Sequence, residues 1–287
     1  MGKGDIKTRR GKIINNSFGN SRRKKKYNHP KLSSKKIIKV VNNKIARESN
    51  MINQAVFPIL SQDKEGYYFI GTGFFINELG WFITAKHVAM EKEGKPINPF
   101  IIIQVVNEKE YLPRIVKGFW GHSEADIVVG CLLPQKDDNG KVIGNPTLVL
   151  KRKEVKKGKE VFTYAYPDSR LEAPEGRFQI ASFSPNYYYG RIKGIETRND
   201  LFFRGRCIQS NMLVKGGASG GPVFNNNGFV VGINTSGYEM NKDEEPISFT
   251  TPIQYAYQIK VPMSNFGKVE MIEIVKLIEL GGIILDE

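Results

Sequence analysis

From residue 51 onward the sequence predicts an all-β fold. Apolar residues come in short runs, turn residues punctuate those runs closely, and no long helical period separates one run from the next. That spacing belongs to a barrel or a sandwich, not to a βαβ fold. A first set of strands covers residues 54–60, 67–70, 73–76 and 81–84, and the β-branched run Ile127-Val128-Val129 adds another. A second set follows the Lys-rich stretch 151–159, with strands at 160–164, 176–180 and 202–205 and then at 222–224, 229–234 and 247–253. Asn225-Asn226-Asn227-Gly228 carries the Asn-Gly signature of a tight hairpin. Residues 269–280 space their apolar side chains three and four apart and end at Gly281-Gly282, which predicts an amphipathic helix packed on the second set.

The net charge of +14 is concentrated at one end. Residues 1–45 hold 15 Lys and Arg against the single acid Asp5, and the rest of the 287-residue chain is neutral. Poor in large apolar groups, this basic arm cannot repay the entropy of folding alone, so it is expected to be disordered without a partner. No apolar run approaches the roughly 18 residues of a membrane span, so no membrane association is expected. The arm also lacks the apolar segment of a secretory signal, which makes the cytoplasm the expected location. Cys131 and Cys207, 76 residues apart in apolar surroundings, read as buried free thiols. His29, His87 and His122 are not spaced with Cys or acids as zinc ligands, so neither a metal nor another cofactor is expected.

The chemistry lies in three separated segments. Gly217-Ala218-Ser219-Gly220-Gly221-Pro222 presents a serine in a glycine-rich turn, Thr84-Ala85-Lys86-His87-Val88 a histidine after an apolar strand, and Ala125-Asp126-Ile127-Val128 an acid opening a strand. A serine hydroxyl needs a positioned imidazole to take its proton, and the imidazole needs a carboxylate to orient it. Ser219, His87 and Asp126 supply those types, and the glycines let the amides of Gly217 and Ser219 converge on a developing oxyanion. Each segment alone has a bland reading: a structural loop, a buried histidine, a strand-end acid. His122, four residues before Asp126, is expected at the surface. Gly71-Thr72-Gly73 lacks the third glycine and the following helix of a nucleotide loop and reads as a strand lead-in.

With the order His87, Asp126, Ser219, the chain resembles the trypsin-like superfamily and, within it, the HtrA-like branch, over about residues 53–258. The resemblance rests on Gly71-Thr72-Gly73-Phe74, the three segments above and Val231-Gly232-Ile233-Asn234-Thr235. It implies a chymotrypsin-type fold, two antiparallel β-barrels at about 51–148 and 155–258 with the triad at their junction, and a serine endopeptidase acting on protein or peptide. Residues 259–287 form a C-terminal helical extension. Ala218 stands where secreted relatives carry an aspartate, so cleavage-triggered activation is not expected. Met212, Leu213 and Val214 would supply the pocket wall, with Leu213 at its base, and the edge Asn234-Thr235-Ser236-Gly237 would pair with substrate. The apolar Leu213 argues against strict cleavage after Arg or Lys. Glu239, Asp243, Glu244 and Glu245 read as a solvated acidic loop.

Residues 1–26 resemble the small bacterial ribosomal peptide Thx in their ordered glycines, acid and arginines. That resemblance implies a partner in small-subunit ribosomal RNA, with Lys3, Lys7, Arg9, Arg10, Lys12, Arg22, Arg23 and Lys24 on phosphates and residues 27–50 as a tether. A solubilising tail is the plainer reading of the same charges. For the chain as a whole, the alternative to an enzyme is a noncatalytic RNA-associated protein that keeps the protease fold as a scaffold. The oligomeric state has no sequence signal.

Overall fold

The computed structural model describes residues 51–280 except 92–93, 108–109, 137–138, 168–169, 173–179, 201–203, 239–244 and 266–267. The basic arm and the tether lie outside the described residues. After a helical turn at 51–55 come β1 (Val56–Gln62), β2 (Tyr67–Phe75) and β3 (Trp81–Thr84), the short helix α1 (Lys86–Ala89), then β4 (Ile101–Asn107), β5 (Glu110–Gly121) and β6 (Val128–Leu132). These strands close antiparallel in the order β1-β2-β3-β6-β5-β4. Closure leaves no open sheet edge along the ring, which suits strands as apolar as β1 and β3.

The second half holds β7 (Glu160–Ala165), the small hairpin β8 (Arg170–Glu172) and β9 (Ile180–Ser182), β10 (Asn186–Asn199) and β11 (Arg204–Ser210). It ends with β12 (Pro222–Asn225), β13 (Val230–Tyr238) and β14 (Ile247–Pro252). A second closed barrel results, in the order β10-β11-β14-β13-β12-β7. The Asn-Gly hairpin sits where expected, between β12 and β13: Asn225 Oδ1 accepts the amides of Asn227 (2.9 Å) and Phe229 (3.0 Å).

One continuous core ties the barrels together. Phe57 meets Phe75 at 4.6 Å and Phe82 at 5.8 Å between ring centres, and the same buried cluster extends to Tyr164, Tyr166, Phe224 and Ile233 of the second half. At roughly 1.5–3 kcal/mol per buried large side chain, this shared core fixes how the halves meet.

The C-terminal segment departs from expectation. Residues 268–273 form a strand, β16 (Lys268–Glu273), paired with β15 (Lys260–Asn265), and only Ile274–Leu280 is helical (α2). Pairing with β15 satisfies the strand's backbone, and the apolar side chains divide: Val269 and Met271 face solvent while Ile274 and Ile278 are buried. The spacing that looked helical therefore belongs in its first half to a ribbon.

Cys131 and Cys207 are unbridged. Burial pushes the Cys131 thiol up to about 11, partly opposed by Lys117, and burial with the nearby Glu196 pushes Cys207 up to about 12. Because the folded thiols hold their protons above the ordinary value of 9.0, their contribution to stability is complete below that pH and is lost as pH rises toward about 11 for Cys131 and about 12 for Cys207. Native protein is expected to resist iodoacetamide at neutral pH and to react fully at both sites once unfolded in urea, as mass spectrometry would count.

Candidate active site

Strand β3 ends at Thr84, and α1 follows at once, so the histidine is carried on the first turn leaving the first barrel's core. His87 meets Asp126 twice: its backbone N–H donates to Asp126 Oδ1 at 2.9 Å and its ring Nδ1 to Oδ2 at 2.7 Å. Asp126 is buried, with only 6% of its side chain exposed, while the His87 ring is 30% exposed. A carboxylate held by two N–H groups in a dry setting fixes the ring orientation and places the proton on Nδ1, leaving Nε2 basic.

The loop that carries Asp126 is fastened by a residue expected at the surface. His122 is in fact buried: its Nδ1 accepts the amides of Glu124 (3.1 Å) and Ala125 (2.9 Å), and its Nε2 donates to Gln258 Oε1 at 3.1 Å. Lys86 Nζ donates to the His122 carbonyl at 2.9 Å, linking this loop to α1, and Tyr255 packs its ring edge-on at 5.0 Å. Two backbone amides left without acceptors by the tight turn explain why an imidazole is drawn inside. The only signal in the sequence is a histidine four residues before the acid, and nothing periodic marks it.

Ser219 sits in the turn before β12, half-buried. Gly217 and Gly220 both adopt positive φ (+87° and +82°), and a Cβ on Gly220 would strike Thr84 Oγ1 and the Thr72 carbonyl, so only glycine fits there. The turn is bound to the first barrel through Thr72. Its N–H donates to the Ser219 carbonyl (2.8 Å), and its hydroxyl donates to the Gly217 carbonyl (2.8 Å) and accepts the Tyr166 N–H (3.2 Å). Thr84 Oγ1 in turn donates to the Thr72 carbonyl at 2.8 Å. What read as a strand lead-in is the joint that seats the serine turn. Among the described residues the amides of Gly217 and Ser219 have no acceptor, so both remain available.

The Ser219 hydroxyl is turned to the Thr235 carbonyl, a long 3.4 Å bond. Beyond Asn234, β13 is paired with β14 alone, so residues 235–238 present a free edge. Within the proposed substrate set the structure divides the roles. Asn234 points into the second barrel, its Nδ2 donating to Thr163 Oγ1 at 2.7 Å, so its side chain does not line the cleft; its backbone instead brackets the serine turn through Gly220 and Gly221. Thr235 is buried and shares a hydrogen bond with Thr251 (2.8 Å), while Ser236 is half-buried on the edge. Leu213 is 36% exposed, while its neighbour Met212 takes the buried place beside Ile192, Val223 and Val231. The Val214 carbonyl lies against Gly237, where an added Cβ would come within 2.7 Å of it.

No group of Cys, His, Asp and Glu suited to a metal occurs among the described residues, and no described helix is long and apolar enough to cross a membrane.

Two closed barrels with an acid–imidazole pair on one and a serine in a glycine turn on the other define the double-barrel serine peptidase class. The sequence matches the trypsin-like peptidase domain family over residues 71–233, more than half of the chain, and the protein belongs to that family. Its curated relatives include a probable periplasmic serine endoprotease, DegP-like, of Pseudomonas putida, 26% identical over 77% of this chain and 40% of the relative. Another of the same description, from Hahella chejuensis, is 25% identical over 70% of this chain and 36% of the relative. The chain thus spans about two-fifths of the length of these relatives. Among solved structures, the fold matches that of Deg5 (TM-score 0.50, 18% identity, 78% of this chain and 92% of Deg5). It also matches the HtrA-type protease AlgW, solved with a tripeptide (TM-score 0.51, 18% identity, 74% of this chain and 60% of AlgW).

Removing the Thr72 hydroxyl tests the joint. Thr72→Val strands the Gly217 carbonyl and the Tyr166 amide and is expected to cost about 1–3 kcal/mol of stability in urea unfolding, with Thr72→Ser restoring most of it.

Proposed function

We propose that the chain is a serine endopeptidase in which Ser219 attacks the peptide carbonyl. His87 acts first as general base and then as general acid, and Asp126 holds the ring. The observation that carries this reading is the doubly bonded pair of buried Asp126 and half-buried His87, set on the same joint as a serine turn with two unclaimed amides. In the reaction the Ser219 hydroxyl turns from the Thr235 carbonyl to His87 Nε2 and loses its proton there. The tetrahedral oxyanion is received by the Gly217 and Ser219 amides; one such donor is worth about 2.7–4 kcal/mol at the transition state. His87 then gives the proton to the departing amine, and water releases the acyl group by the same steps in reverse. An extended peptide would run antiparallel to the free edge at 235–238, adding a strand.

The finer reading is a protease delivered to the small ribosomal subunit by residues 1–26, acting in the cytoplasm. Its support is the segregation of 15 basic residues into the first 45 positions, the pattern shared with Thx, and two unbridged thiols that suit a reducing compartment. The relatives described as periplasmic make subcellular fractionation the direct check.

A fluorophosphonate probe is expected to label wild-type protein at Ser219 and to leave Ser219→Ala unlabelled, and the substitution is expected to lower peptide hydrolysis by at least about 10⁴-fold. Folded wild-type protein that takes no label would favour the scaffold reading. In sucrose gradients, substituting Arg9, Arg10, Arg22 and Arg23 by Gln is expected to release the protein from small subunits at moderate salt; unchanged co-migration would remove the arm from the proposal.

A further inference from the structure

We propose that the outer face of the second barrel binds single-stranded nucleic acid on an aromatic shelf formed by Phe162, Tyr187 and Tyr189. The shelf is far along the sequence from the basic arm, and the proposal rests neither on the peptidase reading nor on the arm's resemblance.

Tyr187 and Tyr189 are two apart on β10 and so share one face of the strand. Their rings lie nearly parallel, 19° apart with centres at 6.3 Å, and Phe162 on the paired β7 stands at 6.3 Å and 6.0 Å from them. They border a cavity of about 800 Å³ whose other walls include Ile52, Glu160, Arg191 and Asn226. Tyr189 is 71% exposed, an unusual place for a large ring that core packing does not need.

Charge decides what such a ring faces. The acid in the wall, Glu160, is already neutralised: one oxygen accepts from Arg191 at 3.1 Å and the other from Asn226 at 2.9 Å. Next to it the turn before β7 exposes Lys156, Lys157 and Lys159, and backbone bonds from Gly158 and to Lys159 fasten that turn to Ile192, one residue past Arg191. One exposed ring backed by two half-buried ones, with lysines at one end, suits a chain of flat bases on a phosphate backbone, since every base has a face to stack and the lysines meet the phosphates. A proline-rich peptide would use the rings but would leave the lysine rim without a role.

Fluorescence anisotropy of the full-length protein with labelled oligouridylate and oligothymidylate of about twelve nucleotides, and with a duplex of equal length, separates stacking from charge. Wild-type protein is expected to keep binding the single strands at about 0.5 M salt, where duplex binding has faded, because stacking is insensitive to salt and phosphate contacts are not. Tyr189→Leu, at an exposed position where folding is not at stake, is expected to weaken single-strand binding about fivefold or more at every salt concentration while leaving the salt slope unchanged. Neutralising Arg9, Arg10, Arg22 and Arg23 should flatten the slope yet preserve the effect of Tyr189, so a failure of the arm and a failure of the shelf read differently. Single strand and duplex binding alike at all salts, or Tyr189→Leu binding as wild type, would overturn the proposal. Tyr189-dependent binding of a polyproline peptide in place of the oligonucleotides would overturn it too and assign the shelf to peptide.

Discussion

The proposed active arrangement depends on the register between two barrels, because Asp126 and His87 are carried by the first and Ser219 by the second. Thr72 sets that register. Its amide and hydroxyl hold the carbonyls of Ser219 and Gly217, its hydroxyl also accepts from Tyr166, and its own carbonyl is taken by Thr84, the last residue before the turn into α1. Every polar group of one fully buried residue is used. In the low dielectric of the junction such bonds are directional and costly to break, so a small displacement of the serine turn relative to His87 is resisted by several groups at once. The shared aromatic core supplies the bulk attraction between the halves, and Thr72 supplies the alignment.

Electrostatics follow from the same placement. Asp126 is taken out of water but receives two N–H groups from His87, which compensates burial and leaves the ring oriented before any substrate arrives. Preorganisation of this kind is where most of a peptidase's rate advantage originates. In the second barrel Asn234 Nδ2 is bonded to Thr163 and Ser210 to Ser248, while among the described residues Asn234 Oδ1 and Thr250 Oγ1 find no partner.

Much of this was readable in the sequence because local chemistry and tertiary role coincide. The glycine turn around Ser219 needs positive φ whatever surrounds it, the Asn-Gly hairpin closes on itself, and apolar runs too short for helices must pair as strands. The missed parts depend on distant partners. Nothing near His122 shows that Gln258, 136 residues away, will take its ring proton, and nothing near Thr72 shows that residues 217 and 219 will meet it. At residues 268–273 a ribbon partner lying just upstream won over a helical spacing that was also present.

The fastening also runs the other way. Gln258 and Tyr255, which follow the last strand of the second barrel, clamp His122 and through it the loop of Asp126 in the first. Each half therefore carries one part of the chemistry and the brace for the other's part. A gene segment encoding a single barrel inherits neither a seated nucleophile nor a seated acid. Exchange of one half with a relative is expected to preserve the site only when residues 72 and 122 travel together with 217–219 and 255–258, so the two barrels form one structural unit even though each closes as a separate sheet.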